Sequence, residues 1–230
     1  MYWALMRNVE FCCMEHRAVD LEVQLRDSLQ FAQGKFGIEA DALMPFDRPT
    51  PESAAASGLR VRYAGVVLTV FPKNQEWQVA LMKRTEYPGV HSGQISIPGG
   101  EFEEADENLR QTAVREFEEE MGVRLLDSAL IEGLSDRFIP PSSFSVATFI
   151  SVLDSEPSWK IDPLEVAKVV VVPVRHLTDP DALILTPIEL KSGVHVNLPA
   201  FHWGGEVIWG ATAIILTEFA LMWRELGHAD

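Results

Sequence analysis

Two periods of apolar residues organise the chain. Leu21, Leu25 and Leu29 recur every four residues and predict an amphipathic helix from about Val19 to Phe31, stopping before Gly34. From Ala40 to Gly58 the pattern lapses into MPFDRPTPESAAASG, a Pro-, Ser- and Ala-rich stretch that reads as a linker. Strand-like runs follow at Val61 to Phe71 and Trp77 to Lys83, separated by Pro-Lys-Asn-Gln, with a short third strand at Gln94 to Ile97. Leu109, Ala113, Phe117 and Met121 then mark the apolar stripe of a second helix. Leu130 to Leu134 and Val146 to Leu153 read as strands, with Ile139-Pro140-Pro141 between them. Val166 to Val172 is a nearly continuous β-branched run, which predicts a strand buried on both faces. Shorter strands are expected near Leu183 to Leu185, Val194 to Leu198 and Val207 to Trp209, the last closed by Gly210. A final amphipathic helix is expected from about Ala211 to Leu226. Mixed strands with a few helices and no repeats predict an α/β sandwich with a mixed sheet over 59–230, preceded by an N-terminal helix and linker over 1–58.

Composition narrows the function classes. The 230 residues suffice to bury a substantial core, and a net charge of −15 argues against nonspecific nucleic-acid binding. The same charge means that an anionic substrate needs bound metal and a local cluster of Lys or Arg. No apolar run approaches the roughly 18 residues that span a bilayer, which argues against a membrane partner. The start, MYWALMRNVEFCC, lacks the apolar core and cleavage site of a signal peptide. Adjacent Cys12 and Cys13 suggest no disulfide framework, and a reducing, cytoplasmic setting is the expectation. Six histidines without paired spacing give no zinc pattern.

The chemistry concentrates between Pro98 and Val123, PGGEFEEADENLRQTAVREFEEEMGV. On a helix, Glu116, Glu119 and Glu120 fall within an arc of about 100° beside the apolar stripe, at the edge of a buried face. Carboxylates this close repel unless a cation lies between them, and an oxygen-only set favours a hard ion such as Mg²⁺ or Mn²⁺. Arg115, four residues before Glu119, can steer its carboxylate. Just upstream, Lys83 and Arg84 end a strand, where phosphate-binding cations would be expected. His91 and Ser92 sit in a Gly-flanked loop; from the residues alone His91 reads as loop-ordering.

The Pro98–Val123 stretch closely resembles the Nudix box, G-x5-E-x7-R-E-U-x-E-E-x-G-U with U apolar. Gly100, Arg115, Glu116, Phe117, Glu119, Glu120, Gly122 and Val123 match. The loop carries one extra residue, placing Asp106 at G-x5-D, as in the coenzyme A pyrophosphatase branch. Leu81 to Gly100, LMKRTEYPGVHSGQISIPGG, resembles that branch's second signature, L-L-T-K-R-[SA]-x3-R-x3-G-x3-F-P-G-G. Lys83, Arg84, Gly93, Pro98, Gly99 and Gly100 match, whereas Thr85, Ile97 and Gly89 depart, Gly89 standing where the pattern has Arg. Pro163-Leu164-Glu165-Val166 is similar to the family's Pro-x-Glu-Val element, and IPPSSF and IWGATA to later ones.

The resemblance implies a Nudix-type α/β/α sandwich and metal-dependent cleavage of a nucleoside diphosphate linked to another group. It implies metal ligation by Glu116, Glu119 and Glu120, with Mg²⁺ or Mn²⁺ as cofactor. Catalytic roles fall to Glu116, Arg115 and Glu165, with Glu116 or Glu165 as base. Substrate contacts fall to Lys83, Arg84, His91, Gly99 and Gly100. The implied substrate is coenzyme A or a derivative, cleaved to 3′,5′-ADP and 4′-phosphopantetheine or its acyl form; a homodimer is compatible with it. Two alternatives stand beside it: another substrate such as ADP-ribose or a dinucleotide cofactor, and a non-catalytic ligand sensor, which the complete set of box carboxylates disfavours.

Overall fold

The computed structural model describes residues 18–32, 34–45, 49–190 and 192–227. Three helices precede the first strand: α1 at residues 18–32, α2 at Lys35–Ala42 and α3 at Pro51–Ala56. The α1 helix confirms the four-residue leucine period. The expected linker, by contrast, holds the end of α2 and all of α3, which Thr50 caps by accepting from the Ser53 N–H. Residues 46–48 of that linker, like Cys12 and Cys13, lie outside the described residues.

The strands are β1 Arg62–Lys73, β2 Glu76–Arg84, β3 Ile95–Ser96, β4 Gly99–Glu101, β5 Arg137–Ile139, β6 Phe144–Val152 and β7 Val166–Pro173. They form one mixed sheet in which β6 runs parallel to β1 and the other pairings are antiparallel. A second, three-stranded sheet comprises β8 Ile184–Glu189, β9 His195–Trp203 and β10 Glu206–Trp209. The helices α4 Leu109–Met121, α5 Val174–Thr178 and α6 Gly210–Glu225 complete the chain.

Strand alternation divides the core into two layers. Val67, Phe71, Ala80 and Met82 face α4 through Ala113, Phe117 and Met121. The intervening Leu68, Val70, Val79 and Leu81 join the cluster of α6, with Phe219, Met222 and Trp223. The sheet thus lies between helices, the expected α/β/α sandwich. Leu21, Leu25 and Leu29 of α1 and Phe36 of α2 enter the α6-side cluster. An ion cluster centred on buried Arg137 and Glu218 ties the same elements together: Arg137 donates to Glu218 of α6 and to the exposed Asp41 of α2, both at 2.6 Å. The Ser135 N–H and hydroxyl occupy the other Glu218 oxygen.

Two strand expectations change. Leu130 to Leu134 contributes only a bridge from Ile131 to Ile150, and the paired edge strand is β5. The β7 strand is not buried on both faces: it pairs with β2 alone among the described strands, and Ala167 and Lys168 are exposed although Val166 before them is buried. Val170, Val172 and Pro173 nearer its far end are buried.

A fork in the sheet positions the site. β1 pairs with β2 from Thr69 to Lys73 but with β4 from Ala64 to Val66. β2 in turn pairs with β3 at Met82 and Lys83, on the edge away from β7. The β3–β4 segment therefore wedges between diverging β1 and β2, and carries Gly99 and Gly100 onto the face where α4 lies. Among the described residues no helix is long and apolar enough to cross a membrane.

Candidate active site

The α4 helix begins where Asn108 accepts from the Arg110 and Gln111 N–H groups and ends at Gly122 in the left-handed conformation, φ 65°. It lies close against the sheet because β1 and β4 present glycines. A Cβ on Gly65 would overlap the Leu109 carbonyl, and one on Gly100 would overlap the Glu116 carboxylate. Gly65 has no part in the box pattern; its signal was a glycine inside a strand run, a mark of close backbone approach.

Glu120 is the buried centre, at 1% exposure. One carboxylate oxygen accepts the Gly99 N–H at 2.7 Å, and the other faces the Arg84 guanidinium at 3.4 Å. Burial pushes its carboxyl up to about 8; the Gly99 N–H and Arg84 oppose this, and Glu116 and Glu165 add to it. Glu116 is also raised, first by burial, against the hydrogen bond from Arg115. Glu165 stands exposed at the entrance of β7, its carbonyl accepting from the Thr85 N–H next to Arg84.

Arg115 organises the helix face. Its Nε and Nη2 bind Asp106 at 3.0 and 2.9 Å, while Nη1 reaches Glu116 at 2.7 Å and Glu119 at 3.5 Å. Asp106 is buried and also accepts from the Glu103 N–H and the Thr112 hydroxyl. Arg115 foremost, aided by these donors, pulls its carboxyl down to about 2. The loop aspartate thus locks the arginine that holds two box carboxylates.

The donor set fits a hard divalent cation. Glu165 adds to the charging cost of both Glu116 and Glu120, and Glu116 adds to that of Glu120, in a partly buried site, which a cation relieves. Among the described residues, no three carboxylate, His or Cys side chains already surround one point. Glu116 and the largely exposed Glu119 lie against Arg115 instead.

Of the sequence-predicted residues, the structure gathers Glu116, Glu120, Arg115, Arg84, Gly99 and Gly100, with Glu165 at the rim. His91 does not join them: it sits in the loop after β2 at φ 68°, its Nδ1 3.0 Å from the Gln94 amide oxygen. Lys83 is placed on the other face. Alternation turns Arg84 toward α4, while Lys83 points to β10 and pairs with Glu206 at 3.0 Å.

The NUDIX domain family model matches residues 60–189, which contain the fork, the box helix and Glu165. The chain belongs to the Nudix family. It is 30% identical over 173 residues to the human protein named mitochondrial coenzyme A diphosphatase NUDT8, across 74% of this chain and 73% of that one. It is 26% identical to an uncharacterized Nudix hydrolase, NudL, of Photorhabdus laumondii, across 69% of this chain and 83% of that one. The fold matches that of a MutT/nudix family protein from Enterococcus faecalis at a TM-score of 0.53, with 14% identity over 74% of this chain and 65% of that one. The Nudix chain is therefore a pyrophosphohydrolase of a family that acts on nucleoside diphosphate derivatives and generally uses divalent metals.

Proposed function

We propose that this protein cleaves the diphosphate of coenzyme A or its acyl derivatives, giving 3′,5′-ADP and 4′-phosphopantetheine or its acyl form. The observation that carries the reading is the meeting of Glu120, Glu116 and Arg84 at the Gly99–Gly100 turn. The similarity to the human coenzyme A diphosphatase supports the choice of substrate. Glu116, Glu119 and Glu120 would hold Mg²⁺ or Mn²⁺, which would supply Lewis acidity to polarise a diphosphate and acidify water.

The chain's own residues do the rest. Arg84 binds a non-bridging phosphate oxygen from within the fork, where its buried Nε has no protein partner. Arg115, fixed by Asp106, keeps Glu116 and Glu119 oriented on the helix face. Gly99 lets the turn lie against β1, and Gly100 leaves the space that the Glu116 carboxylate fills. Glu116 or Glu165 takes the water's proton, and His91 orders its own loop after β2 through Gln94. Incubation with coenzyme A and Mg²⁺, followed by product analysis, tests the reading. Release of 3′,5′-ADP that stops with chelator is expected. A folded sample that cleaves ADP-ribose but not coenzyme A would overturn the substrate assignment.

A further inference from the structure

Glu206 on β10 is bound by two lysines, Lys168 Nζ at 2.7 Å and Lys83 Nζ at 3.0 Å. Among the described residues it is the one carboxylate with ion pairs to two cations. Elsewhere in this acidic chain it is the cation that is shared, as where Arg115 meets Asp106, Glu116 and Glu119. Lys83 and Lys168 are also direct partners in the β2–β7 ladder, where like charges on one sheet face repel. Hydrogen bonding from Lys168, then Lys83, holds the Glu206 carboxyl below its ordinary range, so the cluster keeps one positive charge in excess.

Accessibility is arranged in the same sense. The Lys168 and Lys83 side chains are 48% and 33% exposed, whereas that of Glu206 is 15% exposed. An arriving ligand meets ammonium groups first. The cluster lies one residue from Arg84, where the β2–β7 register slips between Lys83 and Arg84 and β2 ends. Two cationic positions thus occupy opposite faces of one strand end.

We propose that Lys83 and Lys168, bridged by Glu206, form a second anion subsite for a phosphate monoester that the substrate carries apart from its diphosphate. Lysine ammonium groups suit such a group as point charges. The inference rests on the proposed function and deepens it: the preferred substrate is a nucleotide with a separate phosphate, as the 3′-phosphate of coenzyme A provides.

The test compares coenzyme A with dephospho-coenzyme A, which lacks only that phosphate. The kcat/KM preference for coenzyme A should fall about tenfold in Lys168→Met, the scale of one lost charge-assisted contact, and rise in Glu206→Gln. Equal losses on both substrates would make the cluster a structural ion pair and overturn the subsite while leaving the hydrolase reading intact. Calorimetry with adenosine 3′,5′-bisphosphate and adenosine 5′-monophosphate asks the same question without turnover. Tighter binding of the bisphosphate by the native chain, lost in Lys168→Met, upholds the subsite even if coenzyme A is not cleaved. Equal binding of the two nucleotides by the native chain overturns it.

Discussion

Glu120→Gln should make the metal-free protein more stable. In the fold, burial pushes Glu120 up to about 8 from a reference of 4.5. Between those values the folded state holds a proton that the unfolded chain has released, so stability falls as pH rises. At 1.36 kcal/mol per pKa unit, the penalty is about 1 kcal/mol at pH 5 and about 3 kcal/mol at pH 7. Glutamine keeps the shape and the acceptor for the Gly99 N–H, and carries no charge to desolvate. The lost Arg84 contact, long at 3.4 Å, is already contained in that balance. For a chain of this size each kcal/mol corresponds to roughly 2–4 °C, so the variant should melt about 6–12 °C higher in chelator at pH 7. The gap should close toward pH 5. Mg²⁺ should then raise the native protein more than the variant, since binding to the folded state adds RT ln(1 + [L]/Kd). Thermal melts across pH, with chelator and with Mg²⁺, give the answer. A variant that melts lower in chelator, or a gap independent of pH, would refute the reasoning.

Two further outcomes follow from the same face of α4. Asp106→Asn should destabilise by about 2 kcal/mol near neutral pH, because Arg115 holds this carboxyl at about 2 against 3.8 in the open chain. That stability is complete above the unfolded value and is lost as pH falls through about 2, so denaturant midpoints of the two proteins should converge on acidification. Gly100→Ala should displace the Glu116 carboxylate and lower kcat by orders of magnitude with a circular-dichroism spectrum like the native one; unchanged turnover would remove Gly100 from the site.

Local rules made much of this legible. The 3.6-residue period marked α4 and α6 nearly to their ends and the described turns of α1, and helical geometry placed Glu116 and Glu120 beside the sheet. Lys83 and Arg84 show where locality fails. Their adjacency suggested one phosphate-binding pair, yet the pleat sends them to opposite faces, as a two-residue period requires once both belong to a strand. Glu206 was invisible because its partners lie 123 and 38 residues away, in strands brought together only by the sheets. The Leu130–Leu134 run has strand composition, but only Ile131 pairs, with Ile150, beyond the stretch of β6 that β5 covers, and composition does not show how far a pairing extends. The Pro- and Ser-rich stretch before β1 concealed α3, since Pro51 suits the first turn of a helix as well as a linker.

The ionic knot of Arg137, Glu218 and Asp41 bears on where this protein can be cut. Family similarity begins at residue 60, and a truncation there would follow the alignment. It would remove Leu21, Leu25, Leu29 and Phe36 from the core, worth roughly 1.5–3 kcal/mol each and together a large part of the 5–15 kcal/mol that holds a typical protein folded. It would also strip Asp41 from Arg137, leaving a buried guanidinium with half its counter-charge. The hydrolase region therefore cannot be trimmed to its family limits without losing its footing, and preparations meant for crystals or assays should retain the helices ahead of the first strand.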